Sequence, residues 1–181
     1  MAYDMMFTVA EWQNADTLDP QSHHLYQAGD IMLIMHGSTV KVPNPEIRTA
    51  RFNKDFGDGF YCTNIEAQAY RWAIRFGVGY INFYNYNPKP ELNIKSFPQM
   101  TEEWLDFIAD CRNGGTHGYD IVDGPMANDE VYNYVADFLY GSITRAAFWE
   151  LVKFRYPTHQ ISFHTGKALG SLTFVNARAV R

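Results

Sequence analysis

The chain has 181 residues, about one domain's length, and its 46% apolar and 16% aromatic content is ample for a packed core, which excludes disordered and collagen-like classes. A net charge of -5 argues against a broad electrostatic footprint on nucleic acid, because neutralising backbone phosphates takes clustered Lys and Arg. Two cysteines, Cys62 and Cys111, make no disulfide framework and stand in no paired metal or redox spacing, so both read as buried thiols.

The first residues, "MAYDMMFTVAEWQ", lack the basic flank and apolar run of a secretory leader, and no window reaches the ~18 consecutive apolar residues of a membrane span. The expectation is a cytoplasmic protein with no membrane partner. Residues 1–30 end in the polar, turn-prone "DPQSHHLYQAGD" and read as a capping segment outside a single domain of residues 31–181. His23-His24 has no second ligand cluster at suitable spacing, so no metal site is assigned. "IMLIM", Ile31 to Met35, is a continuous apolar run bounded by polar turns and predicts a short strand buried on both faces, with His36 at its end.

Arg48, Arg51 and Lys54 form the nearest thing to a basic pocket ahead of the turn "DFGDG". Gly57 and Gly59 flank Asp58 there, residues suited to positive φ or to close approach of another molecule. The strand "GFYCT" follows, and Thr63 with Glu66 makes a capping-box pattern for a helix whose stripe is Ile65, Ala69, Trp72, Ala73 and Phe76. "GYINFYNYN" alternates as a half-exposed strand, and "ELNIKSF" reads as another. Thr101 caps a helix running to about Asn113, with Glu102 and Glu103 favouring its dipole and Gly114-Gly115 stopping it. "YDIVDGP" is a short strand. Asn128 or Asp129 caps a helix with Val131, Val135 and Phe138 on one face, and Ser142 opens another with Ile143, Ala147, Leu151 and Phe154. Pro157 ends that segment before two strands, "QISFHT" and "SLTFVNARAV". Strands at both ends with helices between them indicate an α+β domain.

Three polar residues then stand at strand termini: His36, Tyr61 and Gln160. Polar side chains held in an apolar scaffold cost about 1–3 kcal/mol each unless hydrogen-bonded, so each needs a partner in the fold or in a ligand. "MHGST" resembles the first motif of the ADP-ribosyltransferases, a histidine ahead of a glycine and a hydroxyl residue. "GDGFYCTNIEAQAY" resembles the second motif, a turn and strand followed by a helix. "THQISFHTGKALGSLTF" resembles the third, a strand that opens on an acidic or amide residue. More narrowly, the ordered set is similar to a bacterial family described as a domain of unknown function within that superfamily, over about Ile31 to Val175.

The resemblance implies an ADP-ribosyltransferase-like split β-sheet core with inserted helices, and NAD as substrate. It implies that His36 bonds the adenosine-side ribose, with the Gly37 backbone and Ser38 hydroxyl near the nicotinamide end. Tyr61 would stack under the nicotinamide ring, with Phe60 beside it and Gly57 and Gly59 keeping the approach clear. Gln160 matches the family's catalytic glutamate and departs from it. An amide can accept the ribose 2′-hydroxyl but cannot offer negative charge to the oxocarbenium-like state. Ser162 is a competing alignment. Asp129 or Glu130, beside Asn128 and otherwise simple caps, is a candidate for the missing carboxylate, and His159 and His164 flank the third strand. The expected function is an NAD-dependent mono-ADP-ribosyltransferase acting on a protein or nucleic-acid acceptor. The alternative is a catalytically silent module binding NAD or ADP-ribose. The RNA 2′-phosphotransferase branch is disfavoured because its phosphate-binding arginines are not clearly supplied. Small bacterial members are often toxins, which implies a cognate antitoxin as partner.

Overall fold

The computed structural model describes residues 31–49, 54–127, 129–152 and 158–181. The expectations placed on residues 1–30, with His23-His24, and on Arg51, Asn128, Phe154 and Pro157 lie outside the described residues, as do those on the side chains of Asp129 and Glu130. Two sheets organise the rest. β1 (Met32–Ser38), β3 (Gly79–Tyr86) and β7 (Leu172–Val180) form an antiparallel sheet with β3 in the centre. β2 (Phe60–Cys62), β6 (Gln160–Phe163), β5 (Ile121–Gly124) and β4 (Ile94–Ser96) form the second in that order, antiparallel except for the β4–β5 pair. The fold class is α+β, as the element pattern implied.

The sheets meet where Met35 and Thr63 exchange two backbone hydrogen bonds of 2.8 Å, stitching β1 to the end of β2. Between them lies a core drawn from both: Ile34, Tyr84 and Tyr86 from one sheet, Phe60, Ile161 and Phe163 from the other. Period-2 alternation sends the opposite strand faces outward to two further layers. On the first sheet Met35 and Ile81 receive Ala69 and Ala73 of α1 (Glu66–Ile74). On the second, Val122 packs with Trp104, Leu105 and Ile108 of α2 (Glu102–Arg112), with Val131 and Val135 of α3 (Asp129–Leu139), and with Phe148 of α4 (Arg145–Val152). Burying each such large apolar side chain contributes roughly 1.5–3 kcal/mol, so this layer anchors the second sheet. Among the described residues no helix is long and apolar enough to cross a membrane.

Local chemistry accounts for several boundaries. The Thr101 hydroxyl accepts from Trp104 N at α2, and Gly114 stops that helix with φ of 89°. Cys62 and Cys111 are buried thiols, with burial pushing the Cys111 thiol up to about 12. Other expectations need correcting. β1 runs on through His36 to Ser38, and Leu33 is 50% exposed, so the strand is not buried on both faces. No capping box forms. Thr63 is held in the bridge to Met35, its hydroxyl accepts from Ile65 N, and Ile65 stands at the N-cap position. α1 ends at Ile74 and buries Gln68, Ala69 and Ala73, which leaves Phe76 82% exposed rather than on the stripe. β3 is mostly buried, because its central place in the sheet and the α1 cover hide both faces. Thr144, not Ser142, caps α4, which buries Phe148 and Val152 while Leu151 stays exposed. A short helix, α5 (Gly166–Leu169), links the last two strands.

Candidate functional site

The site grows from the junction of β1 and β2. β1 directs His36 inward on the same face as Ile34, where its ring meets Phe60 with centroids 4.5 Å apart. His36 Nδ1 lies 2.7 Å from the Tyr61 carbonyl, which can only accept, so Nδ1 carries the proton. Burial, aided by the charges of Lys54 and Arg48, holds the His36 pKa below its ordinary value against that hydrogen bond. The ring is therefore a neutral imidazole near pH 7, with Nε2 left as an acceptor.

The loop after β1 is fixed by two buried residues of β3. The Asn82 amide oxygen accepts from Val42 N while its NH₂ donates to the carbonyls of His36 and Val40, and the Tyr84 hydroxyl donates to Val42 O. This rigid loop closes one side of a cavity of about 190 Å³ whose walls also include His36, Ser38, Gly59, Phe60 and Tyr61. Glu46, Arg48 and Lys54 complete the polar lining. The structure thus brings His36, Ser38, Gly59, Phe60 and Tyr61 together. It places Gly37, Gly57 and Gln160 elsewhere. Gly37 lies against α1, where a Cβ would come within 2.1 Å of the Ala69 carbonyl oxygen. Gly57 has φ of +82°, which glycine adopts without strain, and its carbonyl accepts from the Tyr61 hydroxyl at 2.6 Å.

Tyr61 ties the turn to the strand. Its phenol is pushed well up, first by burial and then by the charge of Asp55, so it stays protonated. One face of its ring carries the Lys54 ammonium 4.6 Å from the centroid, and Lys54 Nζ also donates to Gly59 O at 3.2 Å. A ring stacked by a ligand on that face would displace the ammonium.

Gln160 opens β6 on the face that packs under the helices, and its amide is committed there. Nε2 donates to Asp55 Oδ2 at 3.1 Å, and Asp55 also accepts from Ala127 N and pairs with Arg112. Ser162, opposite Tyr61 in the β2–β6 register, is fully buried, its hydroxyl 2.8 Å from His164 Nε2 and 3.1 Å from the Val122 carbonyl. His164 Nδ1 donates to the Asp58 carbonyl at 2.7 Å, and burial lowers its pKa to about 4, so Nε2 is an acceptor near pH 7. His159 is no surface residue. Its Nε2 lies 2.7 Å from Asp123, Nδ1 accepts from Asn64 N, and its backbone carbonyl accepts from the Gln68 amide at 2.6 Å, joining β6 to α1. Val42 and Glu46 escaped the sequence reading. Both sit in the irregular loop after β1, and Val42 is held at the cavity by Asn82 and Tyr84, some forty residues away in the chain.

Residues 32–174 match the family described as "Protein of unknown function (DUF3990)". The match begins at β1 and ends within β7, so it takes in both sheets and every wall of the cavity. No curated protein matches the chain, and no solved structure does.

Proposed function

The chain belongs to the family of proteins of unknown function DUF3990, and within it we propose an NAD-dependent mono-ADP-ribosyltransferase acting on a protein or nucleic-acid acceptor. The observation that carries this reading is the pairing of a neutral His36, its Nδ1 locked to Tyr61, with Ser38, Gly59, Phe60 and Tyr61 around one cavity. Those residues belong to the first two ADP-ribosyltransferase-like motifs, which lie far apart in sequence. An imidazole Nε2 acceptor beside a hydroxyl suits a ribose diol. A cavity of about 190 Å³ is smaller than the 300–1,000 Å³ that engulfs a whole drug-sized ligand, so it takes one part of the dinucleotide and leaves the rest on the adjoining surface.

The chemistry asks little of a nucleophile. The bond between nicotinamide and ribose breaks with its electron pair leaving on the nicotinamide, and an acceptor lone pair bonds the anomeric carbon as the acceptor loses its proton. Positive charge builds on the sugar, so orientation and electrostatics dominate. Among the described residues Glu46 is the carboxylate in the cavity wall, and it takes the charge-stabilising role that Gln160 cannot fill. A toxin-type role with a cognate antitoxin fits the same reading.

Incubation with labelled NAD and cell lysate tests it. Nicotinamide release with transfer of label to a macromolecule is expected, with His36→Ala weakening NAD binding about tenfold, the worth of one good hydrogen bond. Binding that is sensitive to His36→Ala without release or transfer would instead establish the second reading, a catalytically silent NAD-binding module. The commitment of the Gln160 amide to Asp55, away from the cavity, favours that alternative.

A further inference from the structure

Lys54 is a cation lining the cavity. It sits in the cavity wall, its Nζ held between the Gly59 carbonyl and the face of Tyr61, and among the described residues no carboxylate lies within ion-pair distance of it. Burial is the larger influence on its pKa and lowers it, with Asp58 opposing from farther away. A carbonyl dipole and a ring quadrupole compensate an ammonium only in part. Arg48 brings a second cation to the same wall. Its partner Glu46 is 4.0 Å away and both side chains are largely exposed, a geometry that neutralises little. The cavity is thus lined by two cations, one loosely engaged carboxylate and a neutral imidazole.

We propose that Lys54 and Arg48 form an oxyanion subsite that grips the phosphate oxygens of a diphosphate ligand inside this cavity. The subsite stands on the geometry above, and it rests on the dinucleotide reading only for the identity of that ligand. Engagement draws the Lys54 ammonium off the Tyr61 ring toward the phosphate, which frees that aromatic face for a second, uncharged part of the same ligand. A loosely held lysine is suited to this, because a compact ammonium on a flexible stem can be redirected without rebuilding the backbone.

Titration calorimetry on the full chain with inorganic pyrophosphate, ADP-ribose, NAD and adenosine tests the subsite and separates its possible sources of phosphate. Pyrophosphate and ADP-ribose are expected to bind, with affinity falling as NaCl rises, and adenosine is expected to bind at least about tenfold more weakly than ADP-ribose. Lys54→Met is expected to weaken both anions about tenfold, Lys54→Arg to restore most of the loss, and Arg48→Ala to weaken them about threefold. Arg48 is exposed, so its variant keeps the test decisive even where Lys54→Met fails to fold. Failure of both anions to bind, or unchanged affinity in Lys54→Met and Arg48→Ala, overturns the proposal. Pyrophosphate binding that depends on Lys54 while NAD gives no heat leaves the subsite standing and removes the dinucleotide reading. NAD binding alike to wild type and Lys54→Met does the reverse.

Discussion

Asp55 turns one oxygen to the Arg112 guanidinium and the other to the Gln160 amide and Ala127 N, so every strong acceptor direction of a buried carboxylate is met by a donor. A glutamate at position 160 would set a second carboxylate against Asp55 Oδ2 in the same buried space, two acceptors with no proton between them. Gln160→Glu is therefore expected to lower stability by about 2–4 kcal/mol, read as a fall in the urea midpoint at pH 7, without any gain in NAD turnover. Glu46→Gln carries the opposite signature. It is expected to leave the fold unchanged and NAD binding within about twofold while lowering the rate of nicotinamide release at least about tenfold. His164 supplies the pH dependence. Its folded pKa of about 4 lies below its ordinary value of 6.5, so between those limits the unfolded chain binds the extra proton and the fold loses stability as pH falls. His117, Tyr61, Lys54 and Asp120 are the charged or titratable groups that face it, and Asp120, held below 3.8 by its hydrogen bonds from Lys167, Asn93 N and Thr165, adds its loss only at more acid pH. The thermal midpoint is expected to fall from pH 6.5 to 4, and His164→Gln to flatten that slope. His36 and Tyr61 could be singled out in sequence because short-range motifs surround them. The reason for an amide at position 160 could not, because it lies in Asp55, 105 residues away.

At the scale of elements, α1 packs closely on the face of β1 opposite His36, and Gly37 permits that approach. A Cβ there would lie 2.1 Å from Ala69 O and 2.8 Å from Ala73 N, contacts that only a shift of the helix backbone relieves. Gly37→Ala is expected to cost about 1–3 kcal/mol in denaturant unfolding and to weaken NAD binding together with stability, since Ser38 would move with the strand. Gly79 meets the same helix, with Ala73 O 2.0 Å from its own Cβ position. The strands and the capped α2 were legible because period-2 patterns, Thr101 and Gly114 act over a few residues. The burial of α1 and β3 was not. Which face of a short helix or an alternating strand is hidden depends on what packs over it, and Trp72 and Phe76 fit a helical stripe while the helix stops at Ile74, before Phe76.

At the scale of the whole molecule, a split pair of sheets brings residues of the first and second motifs to one junction through the two Met35–Thr63 hydrogen bonds. The α+β class and the meeting of His36 with Tyr61 were readable from motif order, since sequential elements tend to pack as neighbours. The charge of the cavity was readable only as a loose basic cluster, because Arg48 and Lys54 become one wall only when the loop after β1 is pinned to β3. The measurement that tests the account most directly is a crystal structure of the chain with NAD bound. Ribose or phosphate density is expected in the cavity, with His36 Nε2 within about 3.2 Å of a ribose hydroxyl. Dinucleotide density on any other surface, with His36 and Tyr61 untouched, would contradict it.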